Sequence, residues 1–171
     1  MYTTCQKINW YAFYVRSRSE KQVLARLEEG GFDAYLPLIT RIKQWSDRKK
    51  KVQEPLIKSY VFVKTEEISI REVLKVPGIV FALKYLGKPA VVREKEIQNL
   101  RILTSGESEM ISILPIKDLT VGDRIRVMRG PFSGLEGEYI RMKGNYRVIV
   151  RMETLGTLIS VDIPANYIEK M

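Results

Sequence analysis

The sequence predicts an α+β fold, in which an N-terminal antiparallel sheet with packed helices is joined by a linker to a small C-terminal β-barrel. In residues 9–104, aromatic and β-branched runs alternate with short amphipathic stretches, which is typical of helices packed on a sheet. From residue 119 onward only short strands and turns occur, at the close spacing of a small barrel. Residues 105–118 are weakly patterned and are interpreted as the linker, so the predicted modules are 1–104 and 119–171.

The first strand and the first helix are clearly marked. The run NWYAFYVRS, Asn9 to Ser17, is rich in residues that favour a buried strand. In SEKQVLARLEEGG, Ser19 and Gln22 have capping-box spacing, and Gly30-Gly31 can end a helix. A strand followed by a helix is therefore predicted at the start of the N-terminal module.

The rest of this module alternates extended and helical patterns. An extended segment at 32–45 contains Pro37, which excludes that segment from the centre of a sheet. The run EPLIKSYVFVKT, from Glu54, has few polar interruptions and predicts an interior strand. The remaining elements are a short helix with Ser69 and Glu72 at capping-box spacing that ends at Pro77-Gly78, a hairpin turning at Gly87 to Pro89, and a third helix through Ile97, Leu100 and Leu103.

The C-terminal module contains a glycine-rich stretch, GDRIRVMRGPFSGLEGEY, between two alternating runs. Gly130-Pro131 and Gly134 predict one tight loop, and Gly137 predicts a bulge or a close approach of neighbouring backbone. The loop tip carries Phe132 and Leu135, and leaving such a side chain in water costs about 1.5 to 3 kcal/mol relative to burial. We expect either that both side chains fold back or that a partner covers them.

The positive charge of the chain is confined to its first part. Residues 1–104 hold 20 Lys and Arg against 11 Asp and Glu, whereas residues 105–171 hold 9 of each. A positive field favours polyanions, of which nucleic acid is the commonest in a cytosol. A basic surface that only keeps the protein in solution is the other interpretation.

Composition limits the possible functions. The single cysteine, Cys5, excludes a disulfide framework within the chain and fits a reducing compartment. Because there is no histidine and no spaced ligand cluster, we expect no catalytic site, no metal and no cofactor. No stretch approaches the roughly 20 apolar residues of a membrane span. We therefore expect a cytoplasmic, monomeric protein that is not an enzyme.

Several motifs resemble those of one known family. VGDRIRVMRGPFSGLEGEY resembles the KOW motif, and WYAFYVRS, EPLIKSYVFV, KVPGIVFAL and GKPAVVREKEI resemble the NGN domain that precedes KOW in the NusG family of transcription elongation factors. The resemblance extends from Trp10 to about Lys170 and implies an SH3-like KOW barrel. It also implies an elongation or antitermination factor. Because ribosomal proteins carry KOW motifs too, a ribosome-associated RNA-binding protein is the alternative.

The branch of the family is indicated by shorter pieces. RIKQWSDRKKKVQEPL resembles the operon-specialised UpxY antiterminators, and the EPL and GKPAVV pieces also resemble RfaH. The housekeeping factor usually carries proline and glycine where this chain has Lys58 and Ser59. The resemblance therefore favours a specialised factor over the housekeeping one.

In the family, the NGN domain binds RNA polymerase across its cleft. The resemblance implies that an apolar patch contacts the clamp helices through Tyr14, Ile57, Tyr60, Phe62 and Tyr85. It implies a contact with the gate loop, on the opposite side, through Ser69, Ile70 and Arg71. Ordinary core packing is the alternative interpretation of the apolar members, Phe62 above all.

Basic residues are the predicted nucleic-acid contacts. Arg16, Arg18 and Arg26 match positions that face the non-template DNA strand in the family. A predicted loop adds four adjacent cations: Arg48, Lys49, Lys50 and Lys51. Contacts of this kind to phosphate raise affinity without reading sequence and weaken with salt. A solvated loop would have the same composition.

The KOW region is neutral, which favours a protein partner over RNA. In the family that partner is the termination factor Rho or a small-subunit ribosomal protein, and the resemblance implies Phe132, Leu135 and Leu155 as its contacts. RfaH relatives raise the question of helical refolding. The stretch VIVRMETLGTLISV is dense in β-branched residues, and each glycine of the region would cost a helix about 0.8 to 1 kcal/mol relative to alanine. A permanent β-barrel is therefore predicted.

Overall fold

The structure, a computed structural model, describes residues 7–106, 108–115, 122–142 and 145–171, so that Cys5 and residues 107 and 116–118 of the predicted linker lie outside the described residues. The chain forms two compact units. The first contains the chain up to Pro37 together with Pro55–Glu94, and the second contains Leu38–Glu54 and Lys95–Met171. Segment 38–54 and nearly all of the third helix therefore group with the C-terminal strands.

The elements alternate much as predicted. The helices are α1 (Glu20–Glu29), α2 (Ile70–Val73) and α3 (Glu94–Ser105). The strands are, in chain order, β1 (Asn9–Val15), β2 (Asp33–Tyr35), β3 (Leu38–Gln44), β4 (Lys49–Pro55), β5 (Tyr60–Thr65), β6 (Ile79–Ala82), β7 (Lys84–Tyr85), β8 (Lys88–Pro89), β9 (Val91–Val92), β10 (Ile111–Pro115), β11 (Asp123–Val127), β12 (Glu136–Met142), β13 (Asn145–Met152), β14 (Thr157–Val161) and β15 (Ile168–Lys170). In the part of the chain that is described, no helix is both long and apolar enough to cross a membrane.

The first unit is built on an antiparallel sheet in the order β2-β5-β1-β6, with β9 also paired to β1. β5 lies between β2 and β1, so its place as an interior strand is confirmed. Val61, Phe62 and Val63 on β5 are fully buried, which explains why the run has so few polar residues. Pro37 separates β2 from β3, and the strands on either side belong to different sheets.

Helix α1 covers this sheet through Val23 and Leu27, which are fully buried. It ends as predicted, because Gly31 takes the left-handed conformation at φ 78° and the Phe32 N–H donates to the Leu27 carbonyl at 2.9 Å. The predicted capping boxes are wrong, since neither Ser19 nor Ser69 makes a side-chain cap bond.

The second unit contains a six-stranded antiparallel sheet in the order β10-β14-β13-β12-β11-β15. Its interior residues include Val148, Ile149, Leu158 and Ile159, all fully buried. β10 falls in the predicted linker, where residues 111–115 pair with β14 instead of running free. The α+β fold class, with antiparallel sheets and few helices, is confirmed. That the C-terminal strands persist in every state stays a prediction.

The glycine-rich loop has the conformation that its sequence requires. Gly130 and Gly134 have φ values of 83° and 88°, which residues other than glycine rarely adopt. Gly137 lies opposite Ile125 without a break in register, and a Cβ there would lie 2.5 Å from the Ile149 carbonyl oxygen. Gly137 therefore allows close approach of the neighbouring strand and forms no bulge.

The expectation that Phe132 and Leu135 are exposed partner contacts is wrong. Phe132 is 2% exposed and Leu135 is fully buried. The Phe132 ring packs against Gly106, where an added Cβ would lie 2.1 Å from the ring Cε1. Helix α3 closes this region, because Asn99 Nδ2 donates to the Glu136 carbonyl at 3.1 Å. Both side chains therefore belong to the packed interior of the second unit.

We expect Phe132→Ala to destabilise the protein by about 3 to 5 kcal/mol, because it empties a closed site. Urea unfolding of the full chain measures this change. The matched variant Leu155→Ala, at a half-buried position, should cost much less. Equal effects from the two variants would contradict the assignment of Phe132 to the interior.

Two glutamates of β12 are held as carboxylates. Arg151 donates to Glu138, with Nη2 at 3.0 Å from Oε2, and this hydrogen bond is the main cause that lowers the pKa of Glu138. Lys95 and Arg126 lie 2.8 and 2.6 Å from Glu136 Oε1, and the hydrogen bond from Lys95 is the main cause that lowers the pKa of Glu136. The three ion pairs tie β12 to neighbouring elements of the same unit.

The stability of this unit should fall in acid. A carboxyl whose pKa is lowered in the folded state contributes stability above its ordinary value, about 4.3 for glutamate, and loses it as the pH falls through the lowered value. We expect the free energy of unfolding to decline as the pH is lowered from 5 to 2. The variant Glu136→Gln/Glu138→Gln should have a flatter profile than the exposed control Glu169→Gln. If the stability profiles of the two variants were parallel, Glu136 and Glu138 would not be the cause of the decline in acid.

Candidate docking and nucleic-acid surfaces

An aromatic cluster lies on one face of the first sheet. Tyr14 on β1 is directly opposite Tyr60 on β5 and Phe81 on β6, so the three side chains point to the same face. The Tyr14 and Phe81 rings stack at 5.0 Å with an interplanar angle of 7°, and Tyr60 meets Tyr14 edge-on at 5.5 Å. Phe81 is 45% exposed, and the two tyrosines are half-buried. This cluster of Tyr14, Tyr60 and Phe81 is a partly exposed apolar surface.

Desolvation distinguishes Tyr60 within the cluster. Burial, and next the neighbouring Tyr14, raise the pKa of Tyr60, so its hydroxyl stays protonated and can donate a hydrogen bond. Phe81 was missed by the sequence analysis. Its position one residue before Ala82, on a short strand with few polar residues, did not reveal which face it takes.

Two of the predicted polymerase contacts are buried. Phe62 is completely buried and Ile57 nearly so, which contradicts their assignment as surface contacts. Phe62 lies two residues from Tyr60 on the same strand face and packs near Tyr35, with ring centroids 6.4 Å apart. Phe62 is therefore a buried neighbour of the cluster on the same face of the sheet.

Two of the three predicted gate-loop residues lie along a groove of the first unit. The groove, about 990 Å³ in volume, is lined by apolar side chains, including Tyr11, Ile68 and Leu74, with Lys7, Arg71 and Lys84 among them. Ile70 and Arg71 both line it. Ile70 is nearly buried, whereas Arg71 is exposed, so only Arg71 offers its full side chain to a partner.

The β7–β8 hairpin presents an apolar tip. Tyr85 is exposed, as its predicted role requires, and the neighbouring Leu86 is 86% exposed. Leu86 and Gly87 have φ values of 50° and 80° between the paired residues Tyr85 and Lys88, which is a type I′ arrangement. Leucine is ill suited to this turn position, where asparagine is preferred. An exposed and strained leucine is a candidate for a functional contact.

The three predicted DNA-binding arginines are brought to one end of the sheet. The Arg16 N–H donates to the Gly78 carbonyl at 2.9 Å, and Arg26 Nη1 donates to the Pro77 carbonyl at 2.7 Å. Arg18 takes the left-handed conformation at φ 65° in the turn between β1 and α1. All three are exposed, although Arg26 already uses one of its donors within the protein.

The predicted loop 48–51 is not a loop. Lys49, Lys50 and Lys51 lie in β4, which pairs with β3 to form a two-stranded hairpin, and Arg48 adjoins the turn. Every residue from Ile42 to Lys51 is exposed. The alternation of charged and uncharged residues that would have signalled a strand is missing from this run, because it is cationic throughout.

Of the three predicted KOW contacts, Leu155 alone keeps part of its side chain accessible. It is half-buried, at the end of a short 3-10 helix that Gly156 terminates at φ 61°.

Comparison with known proteins identifies the family. The family model described as transcription termination factor NusG matches residues 8–101, which is more than half of the chain. The chain belongs to the NusG family. It is a transcription termination/antitermination factor of that family, and the predicted membership is thus confirmed while the specialised branch stays a prediction.

Two relatives agree with this membership, and one solved structure has a similar fold. The transcription termination/antitermination protein NusG of Borreliella burgdorferi is 24% identical over 188 residues, covering 95% of this chain and 98% of that protein. The protein of the same name from Lactococcus lactis is 26% identical over 171 residues, covering 95% and 90%. The structure titled domain interaction in Thermotoga maritima NusG is similar in fold, with a TM-score of 0.51, 20% identity and coverage of 96% and 98%.

Replacing Leu86 by asparagine should stabilise the protein. Asparagine tolerates positive φ, whereas a left-handed conformation costs most other residues roughly 1 to 2 kcal/mol. We expect Leu86→Asn to raise the melting temperature of the full chain in a thermal scan. Leu86→Ala, which keeps the strain, should leave it nearly unchanged, and a lower melting temperature for Leu86→Asn would contradict the strain.

Proposed function

We propose that this NusG-family protein binds RNA polymerase across its cleft, suppresses pausing or termination, and recruits a protein partner through its C-terminal unit. The observation that carries the proposal is the partly exposed cluster of Tyr14, Tyr60 and Phe81. Aromatic rings bury a large area for a small loss of side-chain entropy and are enriched at the energetic centres of interfaces. The function needs no cofactor and no catalysis, and it is exercised in the cytoplasm.

The aromatic cluster is the contact with the polymerase clamp helices. Tyr14 and Phe81 form a stacked pair whose exposed faces offer an apolar surface, and the Tyr60 hydroxyl can donate a hydrogen bond beside it. The β7–β8 tip adds Tyr85 and Leu86. Phe62 is buried beside the cluster on the same face of β5. The clamp contact therefore differs from the predicted set in using Phe81 and Leu86 in place of Phe62 and Ile57.

The gate-loop contact is assigned to the groove beside α2. Arg71 offers an exposed guanidinium there, and Ile70 contributes to the apolar wall. Ser69 immediately precedes α2 and is half-buried. This arrangement suits a protein loop that carries both an apolar and an acidic side chain.

Nucleic acid is contacted through exposed cations. Arg16, Arg18 and Arg26 meet at one end of the sheet and are proposed to face the non-template DNA strand. The cations Arg48, Lys49, Lys50 and Lys51 add a second basic surface on the β3–β4 hairpin. Such contacts position a protein without reading sequence.

The C-terminal unit is proposed to bind either Rho or a small-subunit ribosomal protein. The neutral charge of residues 105–171 supports a protein partner over an RNA one. Leu155 remains the apolar contact candidate. A ribosome-associated RNA-binding protein is the second candidate function, and it would be favoured by a basic C-terminal region, which this chain lacks.

The specialised branch of UpxY and RfaH is proposed on the local sequence around Lys58 and Ser59. Ser59 has a φ of 62°, the conformation that glycine adopts readily, and its N–H donates to the buried Glu20 carboxylate at 2.9 Å. The departure from the housekeeping pattern therefore changes the side chain while a glycine-like backbone is kept.

Loss of the exposed ring should weaken polymerase binding. We expect Phe81→Ala to lower the affinity for core RNA polymerase about tenfold or more, since a central aromatic contact is worth about 2 kcal/mol. Binding is measured by fluorescence anisotropy, and antitermination by in vitro transcription through a pause and a terminator. Val91→Ala, at another exposed apolar position of the first unit, is the matched control.

Thermal scans of both variants establish that they fold. Unchanged polymerase affinity for folded Phe81→Ala would contradict the clamp contact. Retention of the wild-type protein on ribosomal RNA, without retention on polymerase, would instead support the ribosomal alternative. A pull-down with each target across a salt series separates the two functions.

A further inference from the structure

The β3–β4 hairpin is a regular two-stranded ribbon. The Leu56 N–H donates to the Pro37 carbonyl at its base, and the Trp45 N–H donates to the Arg48 carbonyl at its tip, both at 2.8 Å. The two hydrogen bonds belong to one continuous register, in which Lys43 lies opposite Lys50 and Ile42 lies opposite Lys51. The strands therefore run paired from the base to a two-residue turn.

Because neighbouring residues of a strand point to opposite faces, the cationic run is divided between the two faces of the ribbon. Arg48 and Lys50 share a face with Trp45, and Lys49 and Lys51 share the other face with Ile42. The contacts of Glu54 agree with this division, since it pairs with Arg41 at 3.3 Å and with Lys43 at 2.5 Å, both on the first face.

Acidic residues neutralise the base of the ribbon but not its outer half. Residues 38–55 contain six Lys and Arg against two Asp and Glu. Glu54 engages Arg41 and Lys43, and Asp47 comes no closer than 4.0 Å to Arg48. Among the described residues, Lys49, Lys50 and Lys51 form no ion pair. The outer half therefore presents positive charge on both faces.

Two exposed apolar side chains lie beside these cations on the ribbon. Ile42 is 53% exposed on one face and Trp45 is 56% exposed on the other. A ribbon that lay flat on a protein or on one row of phosphates would use a single face. A groove bounded by two phosphate rows, with methyl groups on its floor, would use both faces together with the apolar side chains.

We infer that the β3–β4 hairpin enters the major groove of duplex DNA. This groove is about 12 Å wide and admits a two-stranded ribbon, whereas the minor groove, about 6 Å wide, does not. The two cation pairs face the two backbones, and Ile42 and Trp45, which share those faces, lie along the two walls of the groove. The inference deepens the nucleic-acid contact proposed above and does not depend on polymerase binding.

The geometry also selects DNA over double-stranded RNA. The major groove of A-form RNA is deep and narrow, so side chains on a ribbon cannot enter it. The base of the ribbon is fixed in the second unit, where Ile39 is buried and Arg41 Nη2 donates to the Ile111 carbonyl at 3.3 Å. The exposed outer half of the ribbon therefore extends from a base that is fixed to the second unit.

Salt dependence of binding tests the two-faced contact. Full-length protein is titrated with a labelled DNA duplex of about 20 base pairs at several salt concentrations, and log K is plotted against log salt. Each neutralised phosphate contact changes the slope by about 0.9 for B-DNA. We expect Arg48→Gln/Lys50→Gln and Lys49→Gln/Lys51→Gln each to reduce the slope by about 1.8.

The charge-matched control is Lys88→Gln/Arg129→Gln, which removes two exposed cations outside the hairpin. We expect it to change the slope by less than half as much. If only one of the two hairpin double variants reduced the slope, insertion between two backbones would be overturned. A reduction by the control variant as large as that by the hairpin variants would overturn it too. Polymerase affinity, measured separately, tells whether the clamp contact survives in the same variants.

Two further measurements locate the ribbon. Bound protein should protect guanine N7, a major-groove atom, from dimethyl sulfate. The duplex should also shield the exposed Trp45 from acrylamide quenching, while Trp10, 2% exposed, contributes a constant background. Unprotected N7 atoms, or equally tight binding to single-stranded DNA or to RNA of the same sequence, would overturn the inference.

Discussion

The register of β1 against β5 and β6 is the constraint on which the first unit depends. It places Tyr14 between Tyr60 and Phe81, and the three rings form one surface because directly opposed residues share a face. A slip of one residue would turn Tyr14 to the opposite face of the sheet and bring Phe13, which is fully buried, to the face that Tyr14 now occupies. The burial of Phe13 and Val15 therefore enforces the register that displays the aromatic cluster.

The same alternation explains the β3–β4 hairpin. In a loop, four consecutive cations could turn toward one target, whereas in a strand they must divide between two faces. The pairing of β3 with β4 thus converts a run of like charge into a ribbon that is positive on both sides. Glu54 neutralises two cations near the base, so the remaining positive charge is concentrated toward the tip.

In the second unit, packing near helix α3 determines that the apolar side chains of the glycine-rich loop are buried. Phe132 and Leu135 sit on a turn that local sequence alone would leave open to solvent. The Phe132 ring instead fills the space that Gly106 leaves at the end of α3, and Asn99 fixes the helix to β12. An apolar pair on a tight turn is therefore an extension of the core wherever a neighbouring element supplies a complementary surface.

Sequence patterns located most elements, because aromatic and β-branched runs, helical spacing and helix-terminating glycines act locally. They predicted β1, the interior place of β5, the ends of α1 and the close approach at Gly137. They also carried the family resemblance, since its motifs are contiguous. Tyr85 and Arg71 are exposed, as the contacts that the motifs imply require, and the contacts themselves stay predictions.

Local patterns could not decide which apolar side chains a distant element would cover. Phe62 and Phe132 are buried, while Phe81 and Leu86 are exposed, although all four are apolar residues in or beside predicted strands. Nor could they show that 48–51 belongs to a paired strand, because strand pairing depends on a partner segment. The sequence by itself thus determined the chemical type of each side chain and the local backbone geometry. Tertiary packing decided which side chains are buried and toward which face each one points, because it depends on contacts between residues far apart in the chain.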